Sequence, residues 1–196
     1  MIHQQGNAFH SCVVEHFNAE DFGAPFKIIL KDCVSVTEDD DGNMISYHIP
    51  DPEGLLRTVV FARVLNPRKL SGADIKFLRK AVGVKQKVLA KAIEVDPATL
   101  SRCENGMQPL GPASEKLLRI FLVQTGIKFH KLKECEAKTK LEEVLSELFD
   151  VLKPSPVHSA DDDLELYFVR ESSSTAGNDN SDSDGDWEAD KATGTR

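Results

Sequence analysis

One stretch of this chain leaves little freedom in how it can fold: Val84 to Gly106, VKQKVLAKAIEVDPATLSRCENG. Its spacing is that of two short helices joined by a tight turn. Leu89 and Ile93 give the first helix, Gln86 to Ile93, a buried face, and Ala90 is small enough for a second helix to approach closely. Val95 plugs the turn. Asp96 caps the second helix and Pro97 takes its first position, where a missing N–H costs nothing. Leu100 faces inward, leaving Ala98, Thr99, Ser101 and Arg102 to face outward. Gly106 supplies a backbone-permissive exit.

Charge is distributed unevenly around this stretch. The net charge of −8 averages an acidic N-terminal part, a basic middle and an acidic end. Residues 66–133 carry 14 basic and 5 acidic side chains, whereas residues 155–196 carry 3 and 11. A basic middle between acidic flanks is the electrostatic footprint of a phosphate-binding segment. The pI near 5.3 is a property of the average and not of that segment.

The rest of the chain is organised by shorter signals. Residues 1–25 are weakly patterned. Phe26 to Val36 is rich in β-branched residues and reads as a strand. Glu38 to Asn43 reads as a turn with Asp41-Gly42 at its sharp point, and Met44 to Ile49 as the returning strand. Asp51, Pro52 and Glu53 open a helix that runs to about Leu65, where Asn66-Pro67 stops it. Helices are then expected at Gly72–Val82, Gln86–Ile93, Pro97–Cys103 and Pro112–Gln124, the last with Gly126 just beyond its end. A further helix, Lys138–Leu152, lines Leu141, Val144, Leu145, Leu148 and Val151 along one face. From Ser155 the chain turns to Asp, Ser, Gly and Asn, a composition that does not offset the entropy of ordering. One apolar island there, Leu164 with Leu166 to Val169, reads as a docking motif or as a strand that closes the fold.

Residues 70–121 resemble the Cro/Xre-type helix-turn-helix family. Leu70, Phe77-Leu78-Arg79, Gln86, Leu89-Ala90, Val95, Thr99 to Arg102 and Glu104-Asn105-Gly106 carry the resemblance across four helices. A wider stretch, residues 26–121, is similar to MqsA-like antitoxins and related regulators, in which a small zinc-binding domain precedes the helix-turn-helix. The paired C-x-x-C ligands of that domain are absent here. The expected fold is mainly α with a small N-terminal β-hairpin (α+β): a five-helix bundle of Xre type plus a disordered acidic tail. Its parts are a small α+β domain at 1–65 (hairpin 26–49, helix 52–65), a DNA-binding domain at 66–130, a C-terminal helix at 131–154 and the tail at 155–196.

The resemblance implies a sequence-specific double-stranded DNA-binding regulator, a repressor reading the major groove through helix 97–103. Pro97, Ala98, Thr99 and Arg102 would face the bases, with Ser101 beside them. Arg102 can donate two parallel hydrogen bonds to a guanine edge; the alternatives are a phosphate contact or a solvated charge. Ala98 and the Thr99 methyl suit a thymine methyl. Gln86 matches a glutamine that bonds a phosphate and braces the recognition helix. Lys85, Lys87, Asn105 and Gln108 are candidate backbone contacts, which position without specifying. Arg79 and Glu104 are assigned to an internal ion pair. Cys103 reads as a small core residue.

Other chemistries find less in the sequence. His10, Cys12, His16, Cys33 and His48 are irregularly spaced for a metal site, and a lone His or Cys is more often structural. Ser101 and His130 belong to no nucleophile–base arrangement, Asp39 to Asp41 lie in a solvated turn, and no Gly-rich phosphate loop occurs. No catalytic residue, metal or cofactor is therefore expected. The four cysteines lack C-x-x-C spacing and the start is polar (His3, Gln4, Gln5, Asn7), so reduced thiols in a cytoplasmic protein are expected. The expected partners are an inverted-repeat operator and a second copy in a homodimer, with no membrane. The alternative is an antitoxin that neutralises a protein toxin and autoregulates its operon. The acidic tail either solubilises the chain or folds back on the basic bundle; in the second case truncation at Pro154 would tighten binding to random DNA.

Overall fold

The computed structural model describes residues 10–129, 146, 148, 164–170 and 186–190. A mixed five-stranded sheet and a helical cluster share one helix between them. The strands are β1 (His10–Asn18), β2 (Lys27–Glu38), β3 (Met44–His48), β4 (Glu165–Arg170) and β5 (Trp187–Ala189), and the helices are α1 (Pro52–Leu65), α2 (Gly72–Ala81), α3 (Gln86–Ala92), α4 (Pro97–Glu104) and α5 (Pro112–Phe129).

The sheet exceeds the expected hairpin. β2 and β3 do pair antiparallel, Val36 opposite Tyr47. The weakly patterned N-terminal stretch, however, supplies β1, antiparallel along the other edge of β2 with Phe17 opposite Leu30. The register shifts between Val14 and His16, opposite Asp32, which takes a left-handed φ of 51°. One extra residue in β2 bends the strand there.

The region read as a disordered tail contributes two strands, which corrects that expectation for its described residues. β4 lies parallel to the first half of β2, Ile28 opposite Leu166 and Leu30 opposite Phe168. β5 pairs antiparallel with β4. Leu166, Phe168 and Trp187 are buried with Ile28, Leu30, Val34 and Val36 against α1. The apolar island is thus a strand that closes the fold. Its acidic neighbours find basic partners on β2: Glu165 meets Lys27 at 2.7 Å and Asp190 meets Lys31 at 2.6 Å.

α1 is the shared element. Asp51 caps it, accepting from the Gly54 N–H at 3.0 Å while its own backbone sits at φ 40°. A Cβ on Gly54 would lie 1.9 Å from the Asp51 carboxylate, so this cap requires glycine there. Leu55 and Val59 enter the sheet core, and Val60 and Val64 enter the helical core. The Trp187 indole donates to the Asp51 carbonyl at 3.1 Å, fastening β5 to the start of α1.

The helical core gathers Leu70, Ile75, Leu78, Leu89, Ala90, Ile93, Leu100, Cys103, Leu118 and Leu122. α2 opens with a reciprocal capping box between Ser71 and Asp74. α5 runs to Phe129, past the expected stop at Gln124. Gly126 lies inside it because a Cβ would come 2.9 Å from the Phe61 ring: the glycine serves close packing of α5 on α1, not helix termination. Of the helix expected at 138–152 only Ser146 and Leu148 are described; both are helical, and Leu148 is buried in this core. The remainder of that helix and of the acidic tail lies outside the described residues.

Two buried ion pairs fix the connection from α1 to α2. Arg63 meets Asp74 at 2.8 Å, and Arg119 meets Glu115 at 2.9 Å. Both guanidinium groups also donate to the carbonyl of Arg68, and Arg119 to that of Asn66. Glu115 in turn accepts from the Leu70 N–H at 3.1 Å. Buried charges survive only when paired and hydrogen-bonded, and the irregular 66–70 link supplies the carbonyls that complete both arginines.

Candidate nucleic-acid interface

α3 and α4 present the site, and the turn between them sets their angle. Glu94 adopts φ 55° in that turn, a left-handed conformation that costs an L side chain free energy. The Val95 N–H then returns to the Ala90 carbonyl at 3.0 Å, and the Val95 side chain packs half-buried on the helical core. Asp96 caps α4 by accepting from the Ala98 N–H at 2.8 Å, with Pro97 at the first position.

The two faces of α4 are chemically distinct. Leu100, Cys103 and Glu104 are buried, while Pro97, Ala98, Arg102 and Asn105 are exposed and Thr99 and Ser101 are half-buried. Lys85 and Lys87 are exposed at the start of α3, and Gln86 between them is half-buried. Arg102 is therefore the one long cationic side chain on the outer face of α4.

The inner end of α4 is locked by a three-helix polar cluster. Arg79 on α2 forms two parallel bonds to Glu104, Nε to Oε1 at 2.6 Å and Nη2 to Oε2 at 3.0 Å. Its Nη1 donates to the Val84 carbonyl at 3.0 Å. Gln86 on α3 donates its amide to Glu104 Oε2 at 2.9 Å. That amide carries two N–H donors, and bracing α4 uses one of them. Gln108 turns back toward Cys103, its Nε2 lying 3.8 Å from Sγ. The close approach of α2 to the end of α4 depends on Gly72, where a Cβ would fall 2.0 Å from the Cys103 carbonyl.

Residues 75–125 match the helix-turn-helix family, of the Cro/C1 or Xre type. They hold a helix-turn-helix domain. The match runs from Ile75 in α2 through α3 and α4 into α5, and this domain class points to DNA binding. No curated protein and no solved structure matches the chain.

Two exposed apolar side chains within the matched segment were not singled out from sequence: Val88, 53% exposed on α3, and Met107, 75% exposed just after α4. For Val88 the signal was available, since it falls off the inward periodicity of α3 set by Leu89 and Ala90. The candidate metal residues of the N-terminal part are not drawn together. His10 pairs with Glu38, Cys12 with Val36, His16 with Lys31 and His48 with Ser35 along the ladders. Among the described residues no group of three or more His, Cys, Asp or Glu could hold a metal ion. Burial pushes the Cys33 thiol up to about 11, Arg170 opposing and Asp32 adding to that effect. Among the described residues no helix is long and apolar enough to cross a membrane.

Proposed function

We propose that this protein is a sequence-specific double-stranded DNA-binding transcriptional regulator, acting as a repressor in the cytoplasm and without catalytic activity of its own. The observation that carries the reading is the two-sided α4. Its inner face is pinned by Leu100, Cys103 and the Arg79–Glu104–Gln86 cluster, while its outer face leaves Ala98 and Arg102 open to solvent. A rigid helix with a free polar face suits the major groove, where base edges are read. In this reading Arg102 takes a guanine edge, Ala98 and Thr99 touch thymine methyls, and Ser101 lies beside them. Lys85, Gln86, Lys87, Asn105 and Gln108 hold the phosphates on either side.

One short helix buries little surface, so the protein acts as a homodimer on an inverted repeat, with half-sites about 34 Å apart. Selection of bound duplexes from a random pool tests this reading: a palindromic consensus is expected, and a pool that never enriches would reject it.

A second reading, an antitoxin that holds a protein toxin, is favoured by the exposed apolar side chains of the sheet, Val13 at 60%, Met44 at 55% and Ile45 at 53%. Co-purification of a stoichiometric partner from the native source, lost on Ile45→Asp, would select it over a regulator acting alone.

A further inference from the structure

A cavity of about 270 Å³ opens where α1, α2 and α5 meet, and no residue of α3 or α4 lines it. Leu56 and Val60 of α1 and Ala81 and Val82 at the end of α2 form its apolar wall, and Gly126 of α5 gives it a floor of backbone. Two charged residues complete the lining, Arg57 and Glu53.

Arg57 is the informative one. Its Nε is buried without a hydrogen-bond partner. Its outer nitrogens face Asp51 and Glu53, each at 3.9 Å, too far for a hydrogen bond. A shielded donor left unbonded is costly; the Arg57 side chain as a whole is 34% exposed, but this nitrogen is not, whereas the buried Arg63 and Arg119 each bond a carboxylate and at least two carbonyls. Glu53 is a poor competitor for Arg57, because its side chain is 91% exposed and an exposed ion pair is weak.

We propose that this cavity binds a small amphipathic carboxylate, its apolar body against Leu56, Val60, Ala81 and Val82 and its carboxylate on Arg57. An arginine offers a carboxylate two parallel, charge-assisted bonds, which supplies the acceptor Nε lacks. A pocket with apolar walls and one converging cation is the usual build of a small-molecule site, and the volume admits a body of about six carbons. The site is independent of DNA reading, and its test involves no nucleic acid.

Hexanoate and its neutral counterpart 1-hexanol serve as probes, titrated into the full chain at millimolar concentration and followed by two-dimensional NMR. Hexanoate should produce saturable shifts at the methyls of Val60, Ala81 and Val82 and at the Gly126 amide. 1-Hexanol should move the same groups at about tenfold weaker affinity. Arg57→Gln should bring hexanoate down to the level of hexanol, with Arg57→Lys between the two, because a point charge replaces the planar fork. Glu53→Gln, an exposed change that leaves the fold intact, should tighten hexanoate by a few-fold through loss of like charge. Spectra distant from the cavity report folding of each variant. Absence of saturable shifts in the folded wild type would overturn the proposal, as would equal hexanoate affinity in the wild type and Arg57→Gln.

Discussion

Single residues in this protein carry strain and charge in ways that can be measured one at a time. Glu94 holds the α3–α4 turn at φ 55°. Glycine reaches that conformation without a Cβ penalty, although it loses more chain entropy on folding. Glu94→Gly should therefore raise stability by roughly 0.5–1 kcal/mol, read as a higher urea midpoint at unchanged slope. Glu94→Ala should give no such gain, and a lower midpoint for the glycine variant would deny that the turn is strained. Cys33 offers a chemical test. Burial raises its pKa to about 11, so its reactive thiolate is scarce at pH 8 and grows about tenfold per pH unit until the pKa is reached. Peptide-resolved alkylation should mark exposed Cys12 well ahead of Cys33 at pH 8. Equal rates would mean that Cys33 is open to solvent.

The elements differ in how plainly the sequence announced them. α1 and α4 were legible because their ends carry local chemistry, Asp51-Pro52 and Asp96-Pro97 at starts and Asn66-Pro67 at a stop, while α2 and α3 were legible from their apolar spacing. The candidate interface was legible for the same reason, since the inward and outward faces of α4 follow from a fixed helical period. β1, β4 and β5 depend on distant partners. β4 pairs with β2 across more than 130 residues; its apolar island stood out from the acidic sequence around it, but nothing local decided between a docking motif and a strand. β1 is mostly exposed, so it lacks the alternation that marks a half-buried strand. The buried arginines were illegible too, because the acceptors for Arg63 and Arg119 are carbonyls of an irregular link that no pattern encodes. A consequence at this scale concerns the C-terminal strands. Trp187 is 7% exposed in the sheet core and its indole bonds the Asp51 carbonyl. Trp187→Ala should cost about 3–5 kcal/mol, seen as a lower denaturation midpoint. A change within about 0.5 kcal/mol would show that β5 does not belong to the core. Truncation at Pro154 would likewise strip Leu166 and Phe168 from that core, so it tests folding as well as any electrostatic role of the acidic segment.

At the scale of the whole molecule, the basic middle and the acidic remainder act in opposite directions on a polyanion. Residues 66–133 carry a net charge of +9 within a chain of −8. Association with duplex DNA should weaken steeply with added salt, because each neutralised phosphate releases counterions. A double-logarithmic plot of affinity against salt should have a slope near −0.9 for each phosphate held, and Lys87→Ala should make it shallower by about one. A slope near zero for the wild type would argue against phosphate contacts. α1 ties this basic domain to the sheet through both cores, and the two buried arginine–carboxylate pairs hold the link between α1 and α2.

The measurement that bears most directly on all of this is the base preference of Arg102. With duplexes selected by the wild-type protein, Arg102→Ala should lose roughly 1–3 kcal/mol on the selected sequence and become indifferent at one base pair per half-site, keeping its preference elsewhere. A loss of the same size on every duplex, or no preference by the wild type for any sequence, would contradict major-groove reading by α4.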